Sequence, residues 1–288
     1  MKILVTGGNG FLGSHVVNEL NKSFKNVFIL DLKKGTKNEK NKTIIGDICN
    51  YESIKKALKG FDVVYHFAGL SDLDVAYKNP ISTVKLNIEG TVNLLESCRI
   101  NKVKKFVFAS SMYVSGFHGS FYRCSKDSCE KYIKEYKERY DLNYLILRYG
   151  SLYGTGSDLS NGLYRIVHQI LSDRQIRYTG DVESMREYIN VIDAAKASVS
   201  ILLKKYSNTS INITGQQSIK ILDLLKIIKE IMNIKKPIKV LPKKILGHYK
   251  FFPHHYEEDI SLKYTVNPYV DFGEGLKSFI NYVSKNMK

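Results

Sequence analysis

Residues 2–13 read KILVTGGNGFLG, and the glycines crowded into that run constrain this chain more than any other feature of it. A short apolar strand pattern leads straight into Gly7, Gly8, Gly10 and Gly13, and a helical pattern follows to about residue 23. A strand that turns at once into a helix needs glycine for the tight turn. It needs glycine again where the backbone approaches a ligand and where the helix packs close to the strand. The helix start also offers free N–H groups and a positive dipole end, a natural seat for phosphate. Gly7, Gly10, Phe11, Leu12 and Gly13 are therefore candidate cofactor-binding residues.

The next strand, NVFIL (26–30), ends at Asp31. That is about the ~20-residue spacing at which an acid meets the adenosine ribose of a bound dinucleotide. A carboxylate there accepts hydrogen bonds from the ribose hydroxyls and repels a 2′-phosphate, so the expected cofactor is NAD rather than NADP. Lys33 and Lys34, close by, would soften the preference.

The β-then-α order repeats. TIIG (43–46), DVVYHF (62–67), KKFVFAS (104–110), NYLILRY (143–149) and SINIT (210–214) read as further strands. Several are continuously apolar, as strands buried on both faces are. Helical patterns lie near 11–23, 51–59, 82–101, 122–140, 160–172 and 191–205. The expected fold is α/β, a Rossmann-type doubly wound parallel sheet of about seven strands. Residues 1–155 would form the NAD-binding domain, its sheet completed by segments near 188–215. Residues 156–288 would form mainly a substrate-binding lobe of mixed α/β character, with a helix at 219–233, a strand at 238–241 and a closing helix at 273–286. The 82–101 helix is apolar on two faces, Val84, Ile88, Val92 and Leu95 on one, Leu94 and Cys98 on the other. Either a second copy covers the outer face, giving a homodimer or a dimer of dimers, or a loop does.

The chain has 288 residues, 43% of them hydrophobic, enough to bury a full core. Its formal net charge of +16 raises the question of nucleic acid. The excess is almost all lysine, however, scattered along helices (Lys55, Lys56, Lys59, Lys131, Lys134, Lys137) rather than gathered in one basic block. No nucleic-acid partner is expected, and a positive field suits a phosphorylated small substrate. No apolar run approaches the ~18 residues of a membrane span, and the first residues hold no leader-like core. The expected place is the cytoplasm, with no membrane partner. The four cysteines lack metal-ligand spacing and any disulfide framework. His248, His254 and His255 have no carboxylate or cysteine at ligand spacing, so no metal is expected.

SSMYVSGFHGSFYRCSK (110–126) places Tyr122 and Lys126 one helical turn apart on a single face. With the glycine turn, the acid and this pair, the chain resembles the extended short-chain dehydrogenase/reductases, the sugar-nucleotide epimerase/dehydratase group, along nearly its whole length. Residues 6–13 are similar to the family's TGGxGFxG. Gly46-Asp47-Ile48 is similar to its GD[IL] element, which implies that Asp47 and Ile48 meet the adenine. His66-Phe67-Ala68-Gly69 resembles the HxAx segment beside the cofactor, and Asn87-Ile88-Glu89-Gly90-Thr91 the NxxGT helix. These add Phe67, Ala68, Gly69 and Asn87 to the implied cofactor set. Residues 148–154 resemble RxxNVYG, and residues 186–191 resemble R[DE][FY]I.V, whose arginine meets the substrate diphosphate. Ser71, Ser151, Asn161 and Arg186 are the implied substrate-binding residues.

The resemblance makes Ser111, Tyr122 and Lys126 the catalytic residues. Moving a hydride from a sugar carbon requires that the hydroxyl proton leave as well. A phenol with its ordinary pKa of about 10 is a poor base at neutral pH. An ammonium one turn away, with the positive nicotinamide, would draw that value toward the working range. Lys126 would also hold the nicotinamide ribose, and Ser111, at the end of a strand, would orient the reacting oxygen.

Three departures stand against the family pattern. Only ten residues separate Ser111 from Tyr122, where relatives carry a longer loop. Met112 and Tyr113 stand where 4,6-dehydratases have Asp-Glu, and methionine transfers no protons; Tyr113 also replaces the cysteine of GDP-fucose-synthase-like enzymes. Ser151 replaces the RxxN asparagine, with Asn161 either compensating or merely starting a helix. The leading expectation is a 4-dehydrogenase acting on a nucleotide-diphosphate sugar. A 4-epimerase or 4-keto reductase would use the same site, and a non-catalytic NAD-sensing protein would share the fold. Neither base nor sugar is legible, a bacterial GDP-hexose or GDP-heptose being one option.

Overall fold

The computed structural model describes residues 1–35, 38, 40–204, 206–241, 250 and 262–287, so His248, His254 and His255 lie outside the described residues. The chain opens with β1 (Lys2–Thr6), α1 (Phe11–Leu20), β2 (Asn26–Asp31), β3 (Lys42–Ile45), α2 (Tyr51–Ala57) and β4 (Val63–His66). Two short helices, α3 (Leu73–Lys78) and α4 (Pro80–Thr83), lead through a π-helical stretch at Val84–Glu89 into α5 (Gly90–Ile100). Then come β5 (Lys105–Ser111), a 3-10 turn at Met112–Ser115, α6 (Ser120–Tyr140) and β6 (Asn143–Tyr149). The second half adds β7 (Ser151–Tyr153), α7 (Gly162–Asp173), β8 (Arg177–Thr179), β9 (Met185–Asn190), α8 (Val191–Leu203) and β10 (Thr209–Ile213). It closes with β11 (Ser218–Lys220), α9 (Ile221–Ile231), β12 (Lys239–Leu241), β13 (Leu262–Lys263) and α10 (Phe272–Lys285).

The main sheet is parallel throughout, in the order β13-β10-β6-β5-β4-β1-β2-β3. The seven expected strands are present, and the eighth is the two-residue β13 at the edge. The order reverses between β1 and β4, which opens a crevice at their carboxyl ends, the place where doubly wound sheets take ligands. Alternation along β1 sorts the core in two: Ile3 and Val5 pack with Val16, Val17 and Leu20 of α1 and with α8. Leu4 faces the other way, toward Ile54 of α2, Leu94 and Leu95 of α5, and Ile133 of α6. A third apolar cluster joins α7, α9 and α10 through Val167, Leu225 and Phe279. Beside it stand a small sheet, β11-β9-β7, and the pair β12-β8.

The helix expected at 82–101 differs from its sequence pattern. The π-helical stretch widens the turn and shifts the faces that a 3.6-residue period would present. Leu95 is buried together with Leu94 and Cys98, and Ile88 packs on the same core. Val84 remains exposed, beside Ile81.

A directed chain of hydrogen bonds runs through the buried middle of the fold. The Ala68 N–H donates to Thr6 Oγ1 at 3.3 Å, and Thr6 Oγ1 lies 2.8 Å from His66 Nδ1. On the far side of the ring Nε2 lies 3.0 Å from Thr91 Oγ1. Thr91 already gives its hydroxyl hydrogen to the Asn87 carbonyl at 2.5 Å, so it accepts from His66 Nε2–H, and Nδ1 accepts from Thr6. Asn87 then donates to Ser125 Oγ at 2.9 Å, and Ser125 to the Tyr122 carbonyl at 2.8 Å. Burial, with Lys126 nearby, pushes His66 down from its ordinary value to about 3. In the unfolded chain it titrates near 6.5. Its contribution to stability is therefore complete above about pH 6.5 and is lost as the pH falls toward 3, because only the unfolded chain takes up the proton in that window. Urea denaturation at a series of pH values should show a fall of about 1.4 kcal/mol per pH unit attributable to this ring. His66→Asn should remove that part of the slope.

Candidate active site

The glycine turn, the strand ends and residues from the second half of the chain line a cleft of about 1440 Å³. Gly7, Gly10, Phe11, Leu12, Gly13, Asp31, Asp47, Ile48, Phe67, Ala68 and Gly69 line one part of it. Ser111, Tyr122 and Lys126 stand in the same cleft, as do Ser71, Ser151, Asn161 and Arg186. Every sequence-predicted site residue is brought there except Asn87.

The turn is a cradle that a Cβ would fill. Gly7 sits at φ +67°, and a Cβ there would lie 2.6 Å from Ala68 N; one at Gly13 would lie 2.2 Å from Gly7 O. The first turn of α1 carries no acid, so its positive end is uncompensated by side chains. Asp31 accepts the Asn9 N–H at 3.1 Å and the Leu32 N–H at 2.9 Å, which ties the loop to the end of β2. These features fit a dinucleotide with its phosphates at the turn and its ribose at Asp31.

Asn87 stands apart from the other candidates. It is buried behind the wall: its amide donates to Leu70 O at 3.0 Å and to Ser125 Oγ, while its Oδ1 accepts the Leu70 N–H at 2.8 Å. With those atoms engaged it shapes the cleft instead of lining it. Asn161 caps α7 through Oδ1, accepting the Tyr164 N–H at 3.1 Å, and donates to Leu152 O at 2.8 Å. It serves as the start of a helix while remaining at the cleft wall.

Tyr122, Lys126 and Glu130 follow one another at four-residue spacing along α6, and all three are buried against the strand ends. Glu130 holds Arg148 of β6 through Nη2 at 2.8 Å and Nε at 3.1 Å, and accepts a hydrogen bond from Ser110 of β5. That buried pair, absent from the sequence reading, anchors α6 across two strands beside Ser111. The Ser111 hydroxyl stands in the cleft with Tyr122 and accepts the Tyr113 N–H at 3.3 Å. Lys126 donates to the Ala109 carbonyl at 2.9 Å, its Nζ 4.7 Å from the Phe108 ring centre and 6.0 Å from that of Tyr122.

Burial pushes the Tyr122 phenol up to about 12, with only the Ser111 hydrogen bond opposing it. Burial likewise lowers the Lys126 ammonium, although Cys129 and Glu130 act the other way. Without a further cation, the chain keeps Tyr122 protonated.

Sequence reasoning also missed Arg165, Arg177 and Lys250, which line the other part of the cleft with Arg186. Arg165 reaches from α7 to Asp72 at 3.3 Å and Asp74 at 3.5 Å, at the start of α3. On an amphipathic helix its arginine reads as a solvated side chain, and no local signal distinguishes it. Among the described residues no three His, Cys, Asp or Glu could hold a metal ion, and no helix is long and apolar enough to cross a membrane.

The model of the NAD dependent epimerase/dehydratase family matches residues 3–214. A Methanocaldococcus jannaschii protein named as a candidate UDP-glucose 4-epimerase is 31% identical over 99% of both chains. A UDP-glucose 4-epimerase of Thermotoga maritima, solved with UDP-glucose, superposes with a TM-score of 0.86 at 27% identity over 100% of both chains. A Bacillus cereus UDP-glucuronic acid 4-epimerase, solved with UDP-glucuronic acid and NAD, gives 0.84 at 25% over 99% of both.

Gly13→Ala tests the cradle. A methyl 2.2 Å from Gly7 O must displace the turn, so calorimetry should show NAD affinity weakened at least about tenfold, which corresponds to ~1.4 kcal/mol.

Proposed function

This chain is an extended short-chain dehydrogenase/reductase and belongs to the NAD-dependent epimerase/dehydratase family, and we propose that it is a 4-epimerase of nucleotide-diphosphate hexoses. One observation carries the reading. Ser111, Tyr122 and Lys126 converge in the cleft that holds the glycine turn, while Met112 is 1% exposed at the position where a dehydratase needs an acid. An alcohol can be oxidised and restored there, but no acid pair follows Ser111 to eliminate water.

The cofactor is NAD, which when bound supplies an acceptor and later a donor for one hydride, and brings a positive charge to the cleft. Tyr122 takes the proton from the C4 hydroxyl and returns it once the ketone has turned its other face. Ser111 holds the C4 oxygen throughout. Lys126, fixed by Ala109 O, adds positive charge and a donor for the cofactor ribose. Arg186, Ser151, Asn161 and Ser71 bind the nucleotide diphosphate and sugar from the wall formed with the C-terminal lobe. The 4-dehydrogenase that the motifs favour shares the first half of this reaction; the relatives named as 4-epimerases support the return half. Their UDP-sugars make UDP-hexoses the preferred substrates over the GDP-sugars that the sequence left open. We further propose a cytoplasmic homodimer, joined through the exposed Ile81 of α4, Val84 at the start of the π-helical stretch, and Phe121 and Tyr132 of the neighbouring α6.

Incubation with UDP-glucose, UDP-N-acetylglucosamine, UDP-glucuronate and a GDP-hexose, followed by proton NMR, tests the reading. The expected product has unchanged mass and an altered H4 coupling; loss of two daltons would mean a released ketone and loss of eighteen a dehydratase. Tyr122→Phe should lower turnover by about 10²- to 10⁴-fold while still binding NAD.

A further inference from the structure

The short segment between Ser111 and Tyr122 and the tyrosine at 113 meet in a single contact. We infer that Tyr113, seated against Gly119, is a positioning residue that fixes the ring of Tyr122 and keeps water from it. The inference deepens the proposed reaction and rests on Tyr122 being its base.

Gly119 lies at φ +109° just before α6, and a Cβ there would fall 2.8 Å from both Arg123 Cβ and Tyr113 Cδ1 and 3.1 Å from Tyr113 Cβ. Glycine thus lets the turn press directly onto the Tyr113 ring. That ring meets the Tyr122 ring edge to face, centroids 6.3 Å apart and planes at 83°, an arrangement that aromatic quadrupoles favour. The Tyr113 N–H reaches Ser111 Oγ, and its carbonyl accepts the Gly116 N–H at 3.2 Å. One residue therefore touches Tyr122, Ser111 and the turn before α6. A longer loop could screen the phenol with its own side chains; here ten residues do so by wedging in one ring. The raised pKa of Tyr122, caused first by burial, agrees with a phenol kept from water.

Tyr113→Ala, Tyr113→Phe and Gly119→Ala test this, with folding checked by thermal melts. In Tyr113→Ala kcat should fall about 10- to 100-fold, as loss of orientation predicts, with KM little changed. Tyr113→Phe should recover most of it, because the ring remains. Gly119→Ala should also lower kcat, because its methyl would strike the Tyr113 ring and Arg123 Cβ in a backbone conformation that side chains rarely adopt. A readout independent of turnover is the ¹³C resonance of Tyr122 Cζ, identified by its loss in Tyr122→Phe. It should begin to shift at lower pH in Tyr113→Ala than in wild type, because admitted water favours the phenolate. Unchanged kcat together with an unchanged titration in Tyr113→Ala overturns the inference. If Gly119→Ala does not fold, the Tyr113 pair decides. A wild-type protein inactive on every sugar nucleotide would instead overturn the proposed function, and the titration comparison would still decide this inference.

Discussion

A carboxylate and a guanidinium, taken out of water together behind the site, decide where the catalytic helix lies. Glu130 and Arg148 are each about 5% exposed, and their pairing joins α6 to the ends of β5 and β6. Desolvating two such charges is expensive, and their attraction offsets that cost only with good geometry and further hydrogen bonds. Here two guanidinium nitrogens and the Ser110 hydroxyl supply both. The return is positional. Once Glu130 is fixed, Lys126 and Tyr122, one and two turns back, come to the strand end that presents Ser111. From the other side, the hydrogen-bonded line from Ala68 through His66, Thr91, Asn87 and Ser125 ties the same helix to the cofactor turn. Cofactor seat and base are thus held in one frame.

That frame makes the base depend on the cofactor. Depth in the fold keeps Tyr122 dry and raises its pKa, while Lys126 is itself buried and bound to a backbone carbonyl. A phenol in that state has little tendency to remove a proton. A positive charge brought into the low-dielectric cleft acts strongly there, because little water screens it. In the proposed reaction, proton abstraction by Tyr122 is accordingly reserved for the protein loaded with oxidised NAD, which avoids exposing a strong base in the empty cleft.

The parts of this arrangement legible in the sequence are those imposed by backbone geometry. Gly7, Gly10 and Gly13 could be read because a strand-to-helix turn around phosphate tolerates no Cβ, and Asp31 because the next parallel strand ends beside that turn. The spacing of Tyr122 and Lys126 needed only the helical period, and the resemblance to a known family added Asp47, Ser111 and Arg186. What could not be read depends on tertiary neighbours. Asn87 carries the family pattern, yet its orientation is set by Leu70 and Ser125, which no local spacing reveals. The strands at 151–153, 177–179 and 218–220 are three residues long, too short for a period to show. The π-helical stretch before Gly90 moved the buried face of its helix away from a regular repeat. The burial that raises the Tyr122 phenol was hidden for a similar reason: the charge beside it was visible in the sequence, but its depth was not.

The ionisation of Tyr122 in the protein saturated first with NAD⁺ and then with NADH tests the central claim most directly. It can be followed through the ¹³C shift of Tyr122 Cζ. The phenol should ionise at distinctly lower pH with the oxidised cofactor than with the reduced one or with none. Equal titration in all three states would contradict a base whose strength is conferred by the bound cation.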